Sequence, residues 1–159
     1  MKVRDAMTAN VTTCTLDSSL AGVASRMWLG SCGAVPVLDD EGRVAGIITD
    51  RDICFAVAAT ERSASEIKAK ELVERSKALY TCAAEDEVLD ALAVMREKRV
   101  RRLPVVDTEG RLVGILSMAD AILHATRGAR ELPYEDVMGA LQSLCRAPSR
   151  AVEEAELHA

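Results

Sequence analysis

Aromatic residues make up only 3% of the 159-residue chain: one Trp, two Tyr and one Phe. A core must therefore be built from Ala, Val, Leu, Ile and Met. Base stacking on exposed rings, a common device of single-strand nucleic-acid binders, is almost unavailable. Basic residues do not dominate: 20 Lys and Arg against 25 Asp and Glu give a net charge of −5, which argues against a surface built as a polyanion footprint. No apolar run approaches the roughly 18 residues that a membrane span requires. The opening Met1-Lys2-Val3-Arg4-Asp5 has no apolar signal core, so the expected location is the cytoplasm. The chain has no GxxxxGK[ST] or GxGxxG phosphate loop, no HExxH and no GxSxG, and so offers none of the usual catalytic signatures.

Cysteine spacing is equally uninformative as a framework. The five residues Cys14, Cys32, Cys54, Cys82 and Cys145 are odd in number and form no CxxC. They read as buried free thiols of a reducing compartment. Neither His124 nor His158 has zinc-ligand spacing to a cysteine, so no metal site is expected. His124 reads as a packed or surface residue of a helix. With 49% apolar and 28% charged residues, the composition is that of a soluble globular chain, either one domain or two small ones sharing a core.

What the sequence does have is repetition. The stretch from Ala34-Val35-Pro36-Val37 through Gly46-Ile47 returns as Arg102-Leu103-Pro104-Val105 through Gly114-Ile115, at a constant shift of 68 residues. The same shift pairs Thr13-Cys14 with Thr81-Cys82, Met27 with Met95, Thr49 with Ser117 and Asp52 with Asp120. Upstream, Val3–Met7 pairs with Ala69–Val73 once a gap of two residues is allowed. Two copies of this size are each marginal alone and are expected to bury their apolar faces on each other.

Each copy reads as β-α-β-β-α. An extended stretch, Val11–Thr15 or Leu79–Ala83, is followed by a helix. In copy one, Leu20, Val23, Ala24, Met27 and Trp28 form its apolar stripe, and Gly30 ends it. In copy two the stripe is Val88, Ala91, Leu92 and Met95, with Asp86 as the expected N-cap. Trp28 reads as a core or interface residue rather than a cofactor stack, and Met7, Met27 and Met95 read as packing residues. Two β-runs follow, Ala34–Leu38 with Arg43–Ile48 and Leu103–Val106 with Arg111–Leu116, joined by Asp-Asp-Glu-Gly or Asp-Thr-Glu-Gly turns. Asp39-Asp40 is then a solvated hairpin tip rather than a metal site. The second helices fall at 50–59 and 118–127. Residues 61–68 form a polar connector. In the tail, Pro133 opens a helix with Val137, Met138, Leu141 and Leu144 on one side, and the acidic stretch from Pro148 frays. The expected fold class is α/β (α+β), with two pseudo-symmetric repeats packed sheet to sheet and a helical tail. Its divisions are 1–60, 61–128 and 129–159.

Two pairs carry candidate chemistry. Thr49 with Asp52, and Ser117 with Asp120, each place a hydroxyl and a carboxylate three residues apart at a strand-to-helix junction. One reading is a capping box, in which hydroxyl and acid satisfy the helix's first amides. The other is a nucleotide site: an ionised carboxylate accepts from two ribose hydroxyls, while a helix N-terminus and a hydroxyl suit phosphate. The run from Arg96 to Arg102 holds five basic residues. A helix C-terminus accounts for the first of them but not for Arg101 and Arg102, which lead into a strand. Copy one has Gly33 and Ala34 there, so the two sites are not equivalent.

The doubled Val-Pro-Val-Leu-Asp and Leu-Pro-Val-Val-Asp strands resemble a tandem cystathionine-beta-synthase (CBS) domain pair. So do the Val-Arg-Asp-Ala-Met-Thr lead-in at 3–8, the Glu-Gly-Arg turns, and the Gly-Ile-Ile-Thr-Asp-Arg-Asp-Ile and Gly-Ile-Leu-Ser-Met-Ala-Asp-Ala ends. The resemblance covers residues 3 to about 127 and implies a stand-alone, non-catalytic sensor of AMP, ADP or ATP, with no other cofactor. It implies Asp52 with Thr49, and Asp120 with Ser117, at ribose and phosphate. Phosphate contacts fall to Arg101 and Arg102, with Arg51 second. Adenine would lie against the backbone of Val11-Thr12 or Leu79-Tyr80, and of Cys32-Gly33-Ala34 or Val100-Arg101-Arg102. The better-furnished site is that of Asp120, Ser117, Arg101 and Arg102, with both sites drawing on both copies. The resemblance further implies a disc-like homodimer, for which the stripes Leu20–Trp28 and Val88–Met95 are the expected surface, and a regulated partner that the sequence does not name. S-adenosylmethionine is an alternative ligand. A purely structural dimerisation module with vacant clefts is an alternative function. A nucleic-acid binder using the basic run at 96–102 is the weakest reading.

Overall fold

A computed structural model of the protein describes residues 1–76, 78–126 and 131–146. The expected fraying from Pro148, and His158, lie outside these residues. The described elements are α1 (Val3–Ala6), β1 (Cys14–Thr15), α2 (Leu20–Leu29), β2 (Ala34–Leu38), β3 (Val44–Thr49), α3 (Asp50–Thr60), α4 (Ala69–Arg75), β4 (Cys82–Ala83), α5 (Val88–Lys98), β5 (Arg102–Val106), β6 (Leu112–Ser117), α6 (Met118–His124) and α7 (Tyr134–Cys145). They form a mixed α/β fold of two three-stranded sheets, ordered β1-β2-β3 and β4-β5-β6. In each sheet the first pair is parallel and the second antiparallel.

The hairpins form where the turn chemistry points. Asp39 Oδ1 accepts from the amides of Glu41 and Arg43, at 3.0 and 2.8 Å, and Asp107 does the same for Glu109 and Arg111, at 2.9 Å each. The turn glycines Gly42 and Gly110 have φ of 78° and 80°, a region L side chains adopt only with strain. Arg43 and Arg111 are drawn into these turns through ion pairs to Asp39 and Asp107. The second strand of each hairpin therefore begins one residue later than the apolar pattern predicts. The tips then meet: Val44 N donates to Gly110 O at 3.1 Å and Leu112 N to Gly42 O at 3.4 Å. These bonds relate the repeats by the same 68-residue shift and link the two sheets.

The helical stripes are consumed within the chain. Leu20, Val23 and Met27 belong to one core with Val35, Val37 and Ile48. Val88, Ala91, Leu92 and Met95 belong to another with Leu103, Val105 and Leu116. This removes these seven side chains from the expected dimer surface. Ala24 and Trp28 escape the stripe: both are exposed, Trp28 by 85%. The thiols also divide. Cys14 and Cys82 are buried, and burial pushes them up to about 11 and about 12. Cys32 is half-buried, and Cys54 and Cys145 are exposed, which corrects the expectation that all five lie inside. The N-cap of α5 is Glu87; Asp86 instead accepts from Ala83 N at 2.8 Å. His124 sits exposed at the end of α6.

The lead-in segments exchange places. Val3 N donates to Asp86 O at 2.9 Å and Arg4 N to Ala84 O at 3.0 Å, while Ala69 N donates to Ser18 O at 2.8 Å and Lys70 N to Leu16 O at 3.0 Å. The segment before copy one thus packs on copy two, where Val3 and Ala6 complete the core. The segment before copy two packs on copy one through Ile67 and Ala69. The connector is tied to α4 by Arg62, whose hydrogen bonds to Glu71, together with the Lys68 amide, hold the Glu71 carboxyl down to about 2. Each crossing needs a glycine beneath it. A Cβ on Gly46 would lie 2.8 Å from Val73 Cγ2, and one on Gly114 would lie 2.6 Å from Met7 Sδ and 3.1 Å from Thr8 O.

Two alanine substitutions should therefore move stability in opposite directions. Gly114→Ala overpacks a backbone crossing and is expected to cost about 1–3 kcal/mol. Gly139→Ala, in open space on α7, is expected to add about 0.5–1 kcal/mol through helix propensity. Urea unfolding of the full chain measures both. Equal midpoints would mean that the crossing is not tightly packed.

Candidate functional site

The crossing at Gly114 builds a cavity. Thr8 and Ile115 exchange backbone hydrogen bonds, both at 2.9 Å, which carries the chain from Thr8 to Thr12 over the sheet of copy two. A cavity of about 330 Å³ opens there. One wall comes from copy one: Thr8, Asn10, Val11 and Thr12, then Gly30 through Ala34. The other comes from copy two: Arg102, Ile115, Ser117 and Asp120. The register that sets Arg102 opposite Ser117 across the β5–β6 ladder places the guanidinium-bearing residue beside the carboxylate-bearing helix start.

At that start the capping box is complete. Asp120 Oδ2 accepts from Ser117 N at 2.8 Å and from Ser117 Oγ at 2.6 Å, and Ser117 Oγ accepts from Asp120 N at 3.2 Å. Thr49 and Asp52 repeat these three bonds at 2.8, 2.6 and 3.2 Å. Both hydroxyl protons are therefore directed at a carboxylate. Both carboxylates, however, engage through Oδ2 alone, which leaves each Oδ1 unbonded among the described residues. Asp120 is half-buried at its cavity wall, whereas Asp52 is exposed.

Of the residues singled out from sequence, the structure gathers Asp120, Ser117, Arg102, Val11, Thr12, Cys32, Gly33 and Ala34 around one cavity. Asp52 borders a second, of about 370 Å³, with Ile47, Phe55, Leu72, Arg75 and Ser76, and Thr49 is held to it by the cap. Besides Thr49 and Val100, four candidates line neither cavity. Arg51 lies with its guanidinium 5.2 Å from the centre of the Phe55 ring. Tyr80 lies under Lys98 Nζ at 5.6 Å, and Leu79 is exposed. Arg101 is exposed, and its carbonyl accepts from Met118 N at 2.9 Å. Sequence reasoning missed Thr8 and Asn10 on the first cavity and Arg75 on the second. The gapped pairing of the lead-ins was the signal that pointed to their neighbourhood. Among the described residues, no group of three His, Cys, Asp or Glu could hold a metal ion, and no helix is long and apolar enough to cross a membrane.

Residues 3–59 and 69–126 each match the CBS domain family. The chain is 34% identical over 142 residues to Hypoxic response protein 1 of Mycobacterium tuberculosis, spanning 89% of this chain and 92% of that protein. A crystal structure of Hypoxic Response Protein I with two coordinated zinc ions superposes with a TM-score of 0.71 at 36% identity, covering 79% of this chain and 100% of that one. The CBS domain pair of protein MJ0100, in complex with 5′-methylthioadenosine and S-adenosyl-L-methionine, superposes with a TM-score of 0.65 at 25% identity, covering 76% of this chain and 91% of that one.

The caps make a prediction independent of any ligand. Ser117→Ala removes a donor to Asp120 and an acceptor for its amide, and should lower unfolding stability by about 0.5–2 kcal/mol. Urea denaturation of the unliganded protein checks it; an unchanged midpoint would show that Asp120 is not anchored by Ser117.

Proposed function

The chain belongs to the CBS domain family, a family of regulatory modules, and on that premise we propose that it binds an adenosine nucleotide, AMP, ADP or ATP, in the Asp120 cavity and acts without catalysis. The observation that carries the reading is the division of labour within one carboxylate. Oδ2 is fixed by the cap, and Oδ1 is left without a partner among the described residues, on a side chain that lines a cavity shared by both copies. A carboxylate oxygen has two lone pairs and accepts from both hydroxyls of a ribose. Ser117 then acts by holding Asp120 rather than by touching phosphate. Arg102 offers the planar fork that suits a phosphate. The backbone of Val11-Thr12 and Cys32–Ala34 supplies donors and acceptors for the edge of a purine. The cavity volume lies at the lower end of the roughly 300–1,000 Å³ typical of small-molecule sites. Asp52, with Arg75 in place of Arg102, is the second and more open site. Arg101 and Arg51, which line neither cavity, contribute only through movement of their side chains.

The adenosine ligands of the MJ0100 pair support the class of ligand. They also favour a second reading, S-adenosylmethionine, which presents the same ribose and adenine without phosphate. Arg102 is the only cationic side chain on the described wall of the Asp120 cavity, a furnishing that suits a ligand of low charge. A ligand held by both copies changes their relative placement to the extent that its affinity differs between arrangements. In this reading the module is a cytoplasmic homodimer that passes that change to a regulated protein.

Calorimetric titration with AMP, ATP, S-adenosylmethionine and 2′-deoxy-AMP tests the reading. Loss of one ribose hydroxyl leaves a lone pair of Oδ1 unpaired and should weaken binding about 5- to 150-fold. Asp120→Ala, with its fold checked by circular dichroism, should abolish binding. Equal affinity for ribose and deoxyribose forms would remove the ribose clamp. The absence of a thermal shift with every ligand would leave a purely structural module, since a ligand that binds only the folded state raises its apparent stability.

A further inference from the structure

The two cavities are not copies of one another. Moved forward by 68 residues, the backbone offered to a purine in the Asp120 cavity, Val11-Thr12 and Cys32–Ala34, becomes Leu79-Tyr80 and Val100–Arg102. None of these five residues lines the Asp52 cavity. A strand edge lines it instead. Asp50 N donates to Gly33 O at 3.2 Å, so the antiparallel register makes Val35–Ile48 and Val37–Gly46 the bonded pairs of β2 and β3. Ile47, opposite Pro36, therefore turns its N–H and C=O away from β2. Its counterpart Ile115 spends the same two groups on Thr8, at 2.9 Å each. On repeat one no such residue arrives. Met7 crosses Gly114 as Val73 crosses Gly46, but α1 ends at Ala6 and frees Thr8 to extend, whereas α4 runs on to Arg75. The N–H and C=O of half-buried Ile47 are left unpaired among the described residues, a state that backbone groups seldom keep away from water.

Thr8 shows what satisfies such an edge: the N–H and C=O of a single extended residue. The charges around Ile47 are ordered for that residue to be a free amino acid. Following β3, the C=O of Ile47 lies on the Thr49 side, where Asp52 caps Thr49 through Oδ2 and keeps Oδ1 unbonded among the described residues. Two acceptors there suit an ammonium group. The N–H lies on the Gly46 side, where α4 crosses, and α4 ends in Arg75 at the cavity wall. No hydrogen bond or salt bridge holds the Arg75 guanidinium among the described residues, and a backbone donor beside a guanidinium suits a carboxylate. Phe55, Ala56, Ala59 and Leu72 complete the cavity with an apolar wall, small at its two alanines.

We propose that the Asp52 cavity binds a free α-amino acid with an apolar side chain, whose ammonium and carboxylate groups take the place at Ile47 that Thr8 takes at Ile115. The proposal rests on the functional reading only in assigning the nucleotide to the Asp120 cavity. Backbone amide spectra of the full chain, titrated with L-leucine or L-methionine with and without AMP, test it. The amides of Ile47 and Asp52 should shift with the amino acid, in AMP-saturated protein as well. Leucinamide, which lacks the carboxylate, and N-acetyl-leucine, which lacks the ammonium group, should each bind about tenfold or more weakly than leucine. Arg75→Gln, at an exposed position outside both cores, should weaken leucine by a similar factor and leave AMP binding unchanged. The absence of a shift at Ile47 with either amino acid at millimolar concentration overturns the proposal, as does equal binding of leucine and leucinamide. AMP displacing leucine from Ile47 overturns it too and makes the cavity a second nucleotide site. A leucine response at Ile47 with no AMP response at Asp120 upholds the amino-acid site and sinks the nucleotide reading alone.

Discussion

The exchange of lead-in segments is the constraint on which the rest of this molecule depends. A handful of backbone hydrogen bonds, Val3 and Arg4 to copy two and Ala69 and Lys70 to copy one, prevents either repeat from having a complete core of its own. Val3, fully buried in the core of copy two, is an apolar side chain whose burial contributes about 1.5–3 kcal/mol, and it reaches that core only by crossing from the other end of the chain. Small repeats are marginal alone, and here the missing part of each is supplied by the segment that leads into the other. The two copies consequently fold as one body, and the seam between them is fixed at both the lead-ins and the hairpin tips.

The candidate site is a product of that crossing. Because Thr8 is bonded to Ile115, the residues that follow it form one wall of a cavity whose other wall is the helix start at Asp120. Capping and ligand binding, which look like rival readings of a hydroxyl and a carboxylate three residues apart, are compatible once the oxygens are counted. One oxygen satisfies the helix amides and the hydroxyl; the other stays available. The cap restricts the carboxylate to one orientation before a ligand arrives, which lowers the entropic cost of recognition.

Local signals were legible in the sequence, and long-range ones were not. The repeat, the Asp-x-Glu-Gly turns and the helical stripes are patterns over a few residues, and they located the hairpins to within a residue. Periodicity shows that a residue is apolar, not whether neighbouring chain covers it. Trp28 shares its stripe with Met27 yet is exposed, and Cys54 and Cys145 lie in apolar segments yet face outward. Arg101 and Arg102 looked equivalent as a pair, but successive residues entering a strand point to opposite sides, and only Arg102 lines the cavity. Asp86 preceded a helix and served a turn instead, one residue short of the cap. The lead-in exchange left only a gapped five-residue pairing in the sequence, with nothing to say which copy each segment would join.

The central claim is that one ligand touches both repeats at once, and a backbone amide spectrum recorded during titration with AMP tests it most directly. The account predicts that the amides of Gly33 and Ala34 in copy one shift together with those of Ser117 and Asp120 in copy two, at the same ligand concentration. Shifts confined to the segments of a single repeat would contradict it.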